Sequence, residues 1–532
     1  MLRDSPPEPA SVRLPDRLFP PPKPIDPRTM RSLRRPRLLA PFLLVPLMAG
    51  CFASGGGGDS ASGDGGDGDG ARLRVALAFP PAENLSPYGA DATLLSRLGV
   101  TEGLTALDAN GSAAPALAES WRRDGEKTWE FTLRDATFQD GSDVTPAAVA
   151  ASLTRATGAE PAPAALSGVT LSAEAGGDRV VRITTTEPDP VLPLRLSSPS
   201  LAILSKDAYG KGNRVDPVGH ATGPFELTKV NGATSASLDR FDDYWGGRAQ
   251  ASGIDARFIA DGTARANALR TGELDIAEAV PVAQAASLDE RNRRDTATTR
   301  TTSLLLNASS GTFKDAGLRA AARAALDTSV FAKDVYEGYA DAGAGVYGPA
   351  VTWAEGKRTA PVGRAAAKQP GSGDTLTLAT YDNRPELPEV AQVVKQQWEK
   401  AGFTVKLTVR EYSRLEGDAL DGKFDAFVLA RNTLLDTGDP VAVLAGDYTC
   451  DGGFNIAQLC DKGVDRAVAD AEKTADTAKR QDAAMAAEAR ILGSDAVVPL
   501  VHQRVITGVA DSVQGVILDP YERTLVGTGT RR

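Results

Sequence analysis

The sequence predicts an α/β protein built from more than one domain, on three observations. At 532 residues the chain is too long for one hydrophobic core. Along the body, period-two strand patterns alternate with helical patterns. Residues 376–409 spell strand, helix, strand at a length that requires a parallel crossover.

Hydrophobic content of 42% with 24% charged residues is ordinary for a globular protein. A formal net charge of -10 argues against nucleic acid as a partner, since phosphate binding needs a basic face. The N-terminus speaks to compartment. Arg31, Arg34, Arg35 and Arg37 precede an apolar run over 38–49, broken by Pro41 and Pro46 and too short to span a bilayer. The run ends Leu47-Met48-Ala49-Gly50-Cys51, which resembles a lipoprotein signal with Cys51 as the lipidated mature N-terminus. Arg34-Arg35 leaves both the Sec and the twin-arginine export routes open. Residues 1–29 are Pro-rich and aperiodic, either an over-long gene start ahead of Met30 or a cytoplasmic extension. Residues 51–70 are expected to be a lipidated Gly/Ser/Asp tether, too polar to bury a core.

The body then reads in order. Leu73, Val75 and Leu77 alternate as a first strand, 83–90 is a loop, and 93–105 has helical spacing. Trp129, Phe131 and Leu133 alternate as a strand, Asp140-Gly141 turns the chain, and Thr145-Pro146 opens a helix as N-cap and first residue. Strands follow over 171–184, and a Gly-Pro-Phe segment, 223–225, leads into another. Tyr244 and Trp245 read as core aromatics. Residues 264–276 give a helix ending near Gly272 and then a strand. A strand ends at Asn307, and a helix starts after Asp315. Residues 357–373 are a loop. After the strand 376–380, the helix 388–401 places Val390, Val394, Trp398 and Ala401 on one face, with Gly402 at C′. Strands over 403–409 and 424–430, two helices over 463–492, and an apolar run over 497–500 complete the chain.

Several phrases resemble one family. They are Pro115-x-Leu117-Ala118-x-Ser120-Trp121, Trp129-x-Phe131-x-Leu133-Arg134, Phe138-x-Asp140-Gly141, Thr222-Gly223-Pro224-Phe225, and Asp243-Tyr244-Trp245-Gly246-Gly247. Together they are similar to family 5 solute-binding proteins, the extracytoplasmic receptors of peptide and nickel ABC importers. One departure is the insertion of Ser142-Asp143-Val144 before Thr145-Pro146. The resemblance implies a two-lobed α/β periplasmic-binding-protein fold of class II, cluster C type, with an extra subdomain in the first lobe. Lobe 1 would comprise 71–108, 222–303 and 500–532, the subdomain 109–221, and lobe 2 304–499.

The resemblance also implies a site. In dipeptide-binding members an Asp in the pattern Asp-x-Gly-Asp-Pro grips the peptide ammonium, and Asp436 holds that position, just after the buried strand. Arg384-Pro385 resembles the pair that binds the peptide carboxylate, for which a planar guanidinium fork is suited. Read from the residues alone, Asp436 can equally be a turn residue capping its own backbone, and Arg384 a solvated loop arginine. Relatives carry Trp three residues before the Asp, where this chain has Thr433. Cys450 and Cys460, the pair left after Cys51 in an exported protein, are expected to form a disulfide, as in the same relatives.

The expected function is an extracytoplasmic, lipid-anchored binding protein that captures short peptides and delivers them to a permease and its ATPase. It would be a monomer with no cofactor and no metal. The alternatives are the same fold binding a nickel chelate, sugar or opine, and a non-transport scaffold lipoprotein. Enzymatic activity is not expected. The chain has neither a Gly-x-Ser-x-Gly elbow nor a His-Glu-x-x-His motif, and the phosphate-loop mimic at 417–423 continues with Phe424 rather than Ser or Thr.

Overall fold

A computed structural model describes residues 70–532, apart from 211–213 and 372–374. The signal segment, Cys51 and all but the last residue of the tether lie outside the described residues. No helix among the described residues is long and apolar enough to cross a membrane.

The body opens with β1 (Leu73–Leu77) and α1 (Asp91–Arg97), then a short hairpin, β2 (Thr105–Leu107) and β3 (Ala113–Pro115). A four-stranded sheet follows, made of β4 (Ala118–Arg123), β5 (Thr128–Leu133), β6 (Leu171–Ala175) and β7 (Val180–Thr185), and packed under α2 (Pro146–Thr157). The Thr145 hydroxyl accepts from Ala148 N at 3.2 Å and caps α2. After α3 (Leu192–Arg195) come β8 (Phe225–Asn231), β9 (Ser235–Arg240), β10 (Gly253–Phe258), α4 (Gly262–Arg270), β11 (Ile276–Ala277) and α5 (Val282–Ala285). The chain then enters a long strand, β12 (Arg293–Leu306), followed by α6 (Ala316–Ala324), β13 (Ala340–Ala342), β14 (Thr375–Tyr381), α7 (Glu386–Lys400), β15 (Thr404–Arg410), α8 (Glu416–Leu420) and β16 (Ala426–Asn432). Three helices, α9 (Pro440–Tyr448), α10 (Lys462–Glu472) and α11 (Thr477–Gly493), lead to the second long strand, β17 (Val497–Val509).

One sheet of 11 strands runs through the body in the order β15-β14-β16-β12-β17-β11-β1-β10-β9-β8, with β13 paired to β17. The pair joined through a helix, β14 with β15, is parallel, as a crossover requires, and β1 with β10 is parallel too. Three apolar cores result. One lies under β1 and β8–β10, one inside the four-stranded sheet, and the largest packs α6, α7, α9 and α11 against β12, β14 and β16. Trp398 is fully buried in the largest core between Phe313 and Phe403, and its indole N–H donates to Ala322 O at 2.9 Å.

The two long strands β12 and β17 pair antiparallel. Between the pairs Ala297–Arg504 and Thr301–His502, Thr298, Thr299 and Arg300 face Gln503 alone, which is a wide bulge. A second shift falls at Pro499, which has no N–H to give the ladder. The middle of β12 is polar yet buried, because the hydroxyls of Thr298, Thr299 and Thr301 each find an acceptor. Thr298 bonds Gln503 O (2.9 Å), Thr299 bonds Asn432 Oδ1 (2.6 Å) and Thr301 bonds Val346 O (2.8 Å).

The structure departs from the sequence expectation in four places. The helix expected over 93–105 stops at Arg97, because Gly99 takes φ +69° and Val100–Leu104 run on without helix. The strand ending near Asn307 begins already at Arg293, and the buried threonines concealed it. Helix α9 was not anticipated. Tyr244 and Trp245 are only half-buried. They donate to the Glu102 carboxylate at 2.8 and 3.1 Å, and the Arg134 guanidinium lies 3.7 Å from the Trp245 ring centre.

His502 is 1% exposed beside the bulge. Its Nε2 accepts from Ala344 N (3.1 Å), so Nδ1 carries the proton toward Thr301 Oγ1 (2.9 Å). Burial, helped by Arg358, pushes its pKa down to about 4. The unfolded chain therefore binds this proton first. The neutral ring contributes stability above the unfolded value, and that stability is lost as pH falls toward the folded one. Thermal melts are expected to lose on the order of 3 kcal/mol as pH drops through this window. His502→Asn should flatten that part of the profile.

Candidate functional site

Strands β14 and β16 are hydrogen-bonded neighbours in parallel register, with Leu378 opposite Ala426. Arg384 follows the carboxyl end of β14 and Asp436 follows that of β16. The structure therefore brings the two sequence-derived candidates to adjacent strand ends, where open α/β sheets receive ligands.

Arg384 sits in the turn before α7, half-buried. Its guanidinium carbon lies 5.9 Å from the ring centre of Phe79, which follows β1 and is 46% exposed. Among the described residues its side chain has no hydrogen-bond or carboxylate partner. Burial, then the nearby Arg300, lowers its pKa, opposed by Tyr381, Glu522 and Glu386. Glu386 accepts from Val282 N at 3.4 Å, so this turn meets the β1–α5 side of the molecule at two points.

Asp436 is partnered. Arg431 Nη2 reaches Asp436 Oδ2 at 3.3 Å, while its Nε and Nη2 reach the Asp447 carboxylate at 3.0 and 3.3 Å. One guanidinium thus serves two carboxylates. Asp447 is buried, whereas the Asp436 side chain keeps 35% exposure. Burial disfavours the Arg431 charge, but Asp447 and then Asp436 outweigh it and raise the pKa. Asp439, three residues on, has a structural role: it caps α9 through Val441 N (3.3 Å) and pairs with buried Arg480 at 2.5 Å. Gly438 has φ +72°, and a Cβ there would lie 2.7 Å from a Leu107 methyl, so the loop is closely seated. Thr433 supplies no aromatic wall. Its N–H and hydroxyl both donate to Thr299 O, at 3.0 and 2.9 Å. Aromatic surface comes instead from Phe79 and from Tyr381 with Tyr412, whose rings meet edge-on at 5.0 Å.

Sequence reasoning missed the charged cluster between these anchors and the bulge. Glu522 accepts from Arg300 Nε and Nη2 at 3.0 and 3.1 Å, from Arg97 at 3.3 Å and from Asn432 Nδ2 at 3.1 Å. Arg97 also pairs with Glu278, whose other oxygen accepts from Ala78 N at 2.9 Å. Burial opposes the Glu522 charge, but Arg300, Arg97 and Arg384 overcome it and hold the pKa at about 2. These residues come from α1, the segment after β11, β12 and the C-terminal tail, so no local motif marks them. The available signal was Arg300, a lone charge inside the Thr/Leu run of β12.

Two surface cavities, about 310 Å³ beside Tyr88, Arg155 and Tyr209 and about 440 Å³ beside Val335 and Pro388, are lined by neither Arg384 nor Asp436. The first is lined by Arg155 and Arg214 and the second by Asp334 and Glu389, so neither brings opposite charges together. Among the described residues no group of three His, Cys, Asp or Glu side chains is placed to hold a metal ion. Cys450 and Cys460 are joined in a disulfide between α9 and α10.

A continuous sheet through two apolar bodies, with converging charges at its strand ends, defines a two-lobed ligand-clamping protein. The family of bacterial extracellular solute-binding proteins, family 5, matches over residues 112–455, and the chain belongs to it. That family serves ABC importers and consists of binding proteins, not enzymes. The chain is 28% identical over 465 residues to the glutathione-binding protein GsiB of Shigella dysenteriae serotype 1, covering 82% of this chain and 90% of that one. Its fold matches NikA of Staphylococcus aureus in complex with Ni(L-His)2 with a TM-score of 0.73 at 22% identity, over 87% of this chain and 100% of that one. It matches a dipeptide-binding protein from a Pseudoalteromonas species in complex with Met-Leu with a TM-score of 0.75 at 17% identity, over 86% and 99%. At such identities the two structures speak to fold alone.

Glu522→Gln keeps the shape of the cluster and removes its countercharge, leaving Arg97 and Arg300 under-compensated. Urea unfolding at neutral pH should show a loss of roughly 3 kcal/mol. In the native protein the contribution of this carboxylate is present above the unfolded glutamate range and is lost as pH falls toward about 2.

Proposed function

We propose that this chain is the lipid-anchored receptor of an importer for short peptides, held as zwitterions between the two lobes. The observation that carries this reading is a pair of opposite charges at neighbouring strand ends. Among the described residues the Arg384 side chain has no carboxylate partner, and Asp436, 35% exposed, shares the cation of Arg431 with Asp447. A free peptide offers a carboxylate to the first and an ammonium to the second, and the fixed spacing selects for length. A neutral sugar would leave both charges unanswered, which is costly in a closed site. The glutathione-binding relative has a ligand of the same class.

In this reading lobe 1 comprises 71–108, 222–303 and 500–532 with the subdomain 109–221, and lobe 2 comprises 304–499. The lobes close about the long strands. The receptor acts as a monomer, tethered through lipid on Cys51, and docks closed on a permease. Main-chain hydrogen bonds supply much of the affinity, so side-chain selectivity is loose.

Isothermal titration with Met-Leu, N-acetyl-Met-Leu and Met-Leu amide tests the two anchors. Asp436→Ala should weaken Met-Leu by about 10- to 100-fold, the worth of one charge-assisted hydrogen bond, and erase the penalty for acetylation. Arg384→Ala should do the same for the amide. Met-Leu binding as tight in Asp436→Ala as in the native protein would rule out the ammonium role. In cells, Cys51→Ala should move the protein from the membrane fraction to the soluble one. Retention on the membrane would remove the lipid anchor from the picture.

A further inference from the structure

After β17 the tail returns to the first core, burying Val513, Leu525 and Val526 beside β1. Between these anchors, Asp519-Pro520-Tyr521-Glu522-Arg523-Thr524 winds around one carboxylate. Asp519 accepts from the backbone N–H groups of Tyr521 (2.9 Å), Arg523 (2.7 Å) and Thr524 (2.9 Å). The turn places Glu522 at φ +59° and sends its side chain into the charged cluster. The next side chain goes elsewhere.

Arg523 is 6% exposed and contacts only neutral acceptors. Its Nε donates to Leu435 O at 2.9 Å and its Nη2 to Leu434 O at 3.2 Å. Its Nη1 donates to Ser197 O and Oγ at 3.2 and 3.0 Å. Leu434 and Leu435 directly precede Asp436, and Ser197 follows α3. The fork therefore binds three chain segments: the tail, the α3 side, and the loop that carries the acidic anchor. Gly438 of the same loop packs on Leu107 and Leu194, also on the α3 side. Burial lowers the Arg523 pKa to about 10, opposed by Asp519, Asp436 and Tyr521, so the group stays charged at neutral pH. A charge kept buried on neutral acceptors is costly; Leu434 O also accepts from Gly438 N at 3.0 Å, so the fork matters most to Leu435 O and Ser197 O.

We propose that Arg523 is a positioning residue for ligand capture: its fork clamps the backbone of the Leu434–Asp436 loop to the first lobe and so presents the Asp436 carboxylate. The functional consequence rests on Asp436 being a ligand anchor, while the clamp itself does not. The geometry calls for a planar fork with several donors. A lysine ammonium carries the charge but cannot serve carbonyls on two sides in one plane.

The test uses the full chain, with Met-Leu as probe. Hydrogen exchange on ligand-free Arg523→Lys should run at least tenfold faster at the amides of 434–438 and unchanged in the middle of β16. Stopped-flow should show Met-Leu leaving at least tenfold faster, since a loosened acidic anchor acts mainly on release. Ser197→Ala, which removes one neutral acceptor and no charge, should give a smaller acceleration of two- to threefold in loop exchange. This variant decides the matter if the lysine variant does not fold. Unchanged loop exchange in both variants overturns the clamp, as does acceleration spread evenly over β16 and α9 with a lowered melting temperature. If Asp436→Ala binds Met-Leu normally while the loop of Arg523→Lys exchanges faster, the clamp stands and the peptide reading falls.

Discussion

The pairing of β12 with β17 governs the architecture. Both strands run the length of two apolar bodies, so the bodies share one sheet rather than merely abutting. A shared sheet resists sliding, because every shift would break ladder hydrogen bonds. It can bend only where the ladder is already interrupted, and the bulge at Thr298–Arg300 is such a place. The side chains freed there are not idle: Thr299 ties down Asn432 and receives Thr433, and Arg300 turns to Glu522. The same interruption that permits bending therefore organises the groove next to it.

Two electrostatic regimes lie side by side in that groove. Around Glu522, two guanidiniums and an amide surround one carboxylate, and a second carboxylate balances Arg97. Such a set is closed on itself and has little left to offer a solute. At the ends of β14 and β16 the balance is looser: among the described residues Arg384 has no ion-pair partner, and Asp436 and Asp447 both pair with Arg431.

Much of the fold was legible because its signals are local. The Trp129–Leu133 alternation, the Thr145-Pro146 cap and the apolar face Val390–Val394–Trp398 each depend on neighbours in sequence. What escaped was set by distant partners. Residues 293–303 look like a polar loop until the acceptors for their threonines arrive from β16, β17 and the 346 region. The helix after Thr93 seems to continue until Gly99 turns left-handed. The site divides in the same way. Asp436 and Arg384 were visible as short phrases beside strands, while Phe79, Arg300 and the Glu522–Arg523 pair come from three separated stretches and converge only in three dimensions.

The Cys450–Cys460 bond has a consequence for how the protein must be made. It closes the short excursion between α9, which carries Asp447, and α10, whose Asp465 receives Cys450 N at 3.0 Å. Material produced in a thiol-rich cytosol would reach its final shape with this staple open and the helix behind Arg431 less firmly backed. Secretion thus doubles as maturation: passage to an oxidising space completes the wall against which the acidic half of the groove leans.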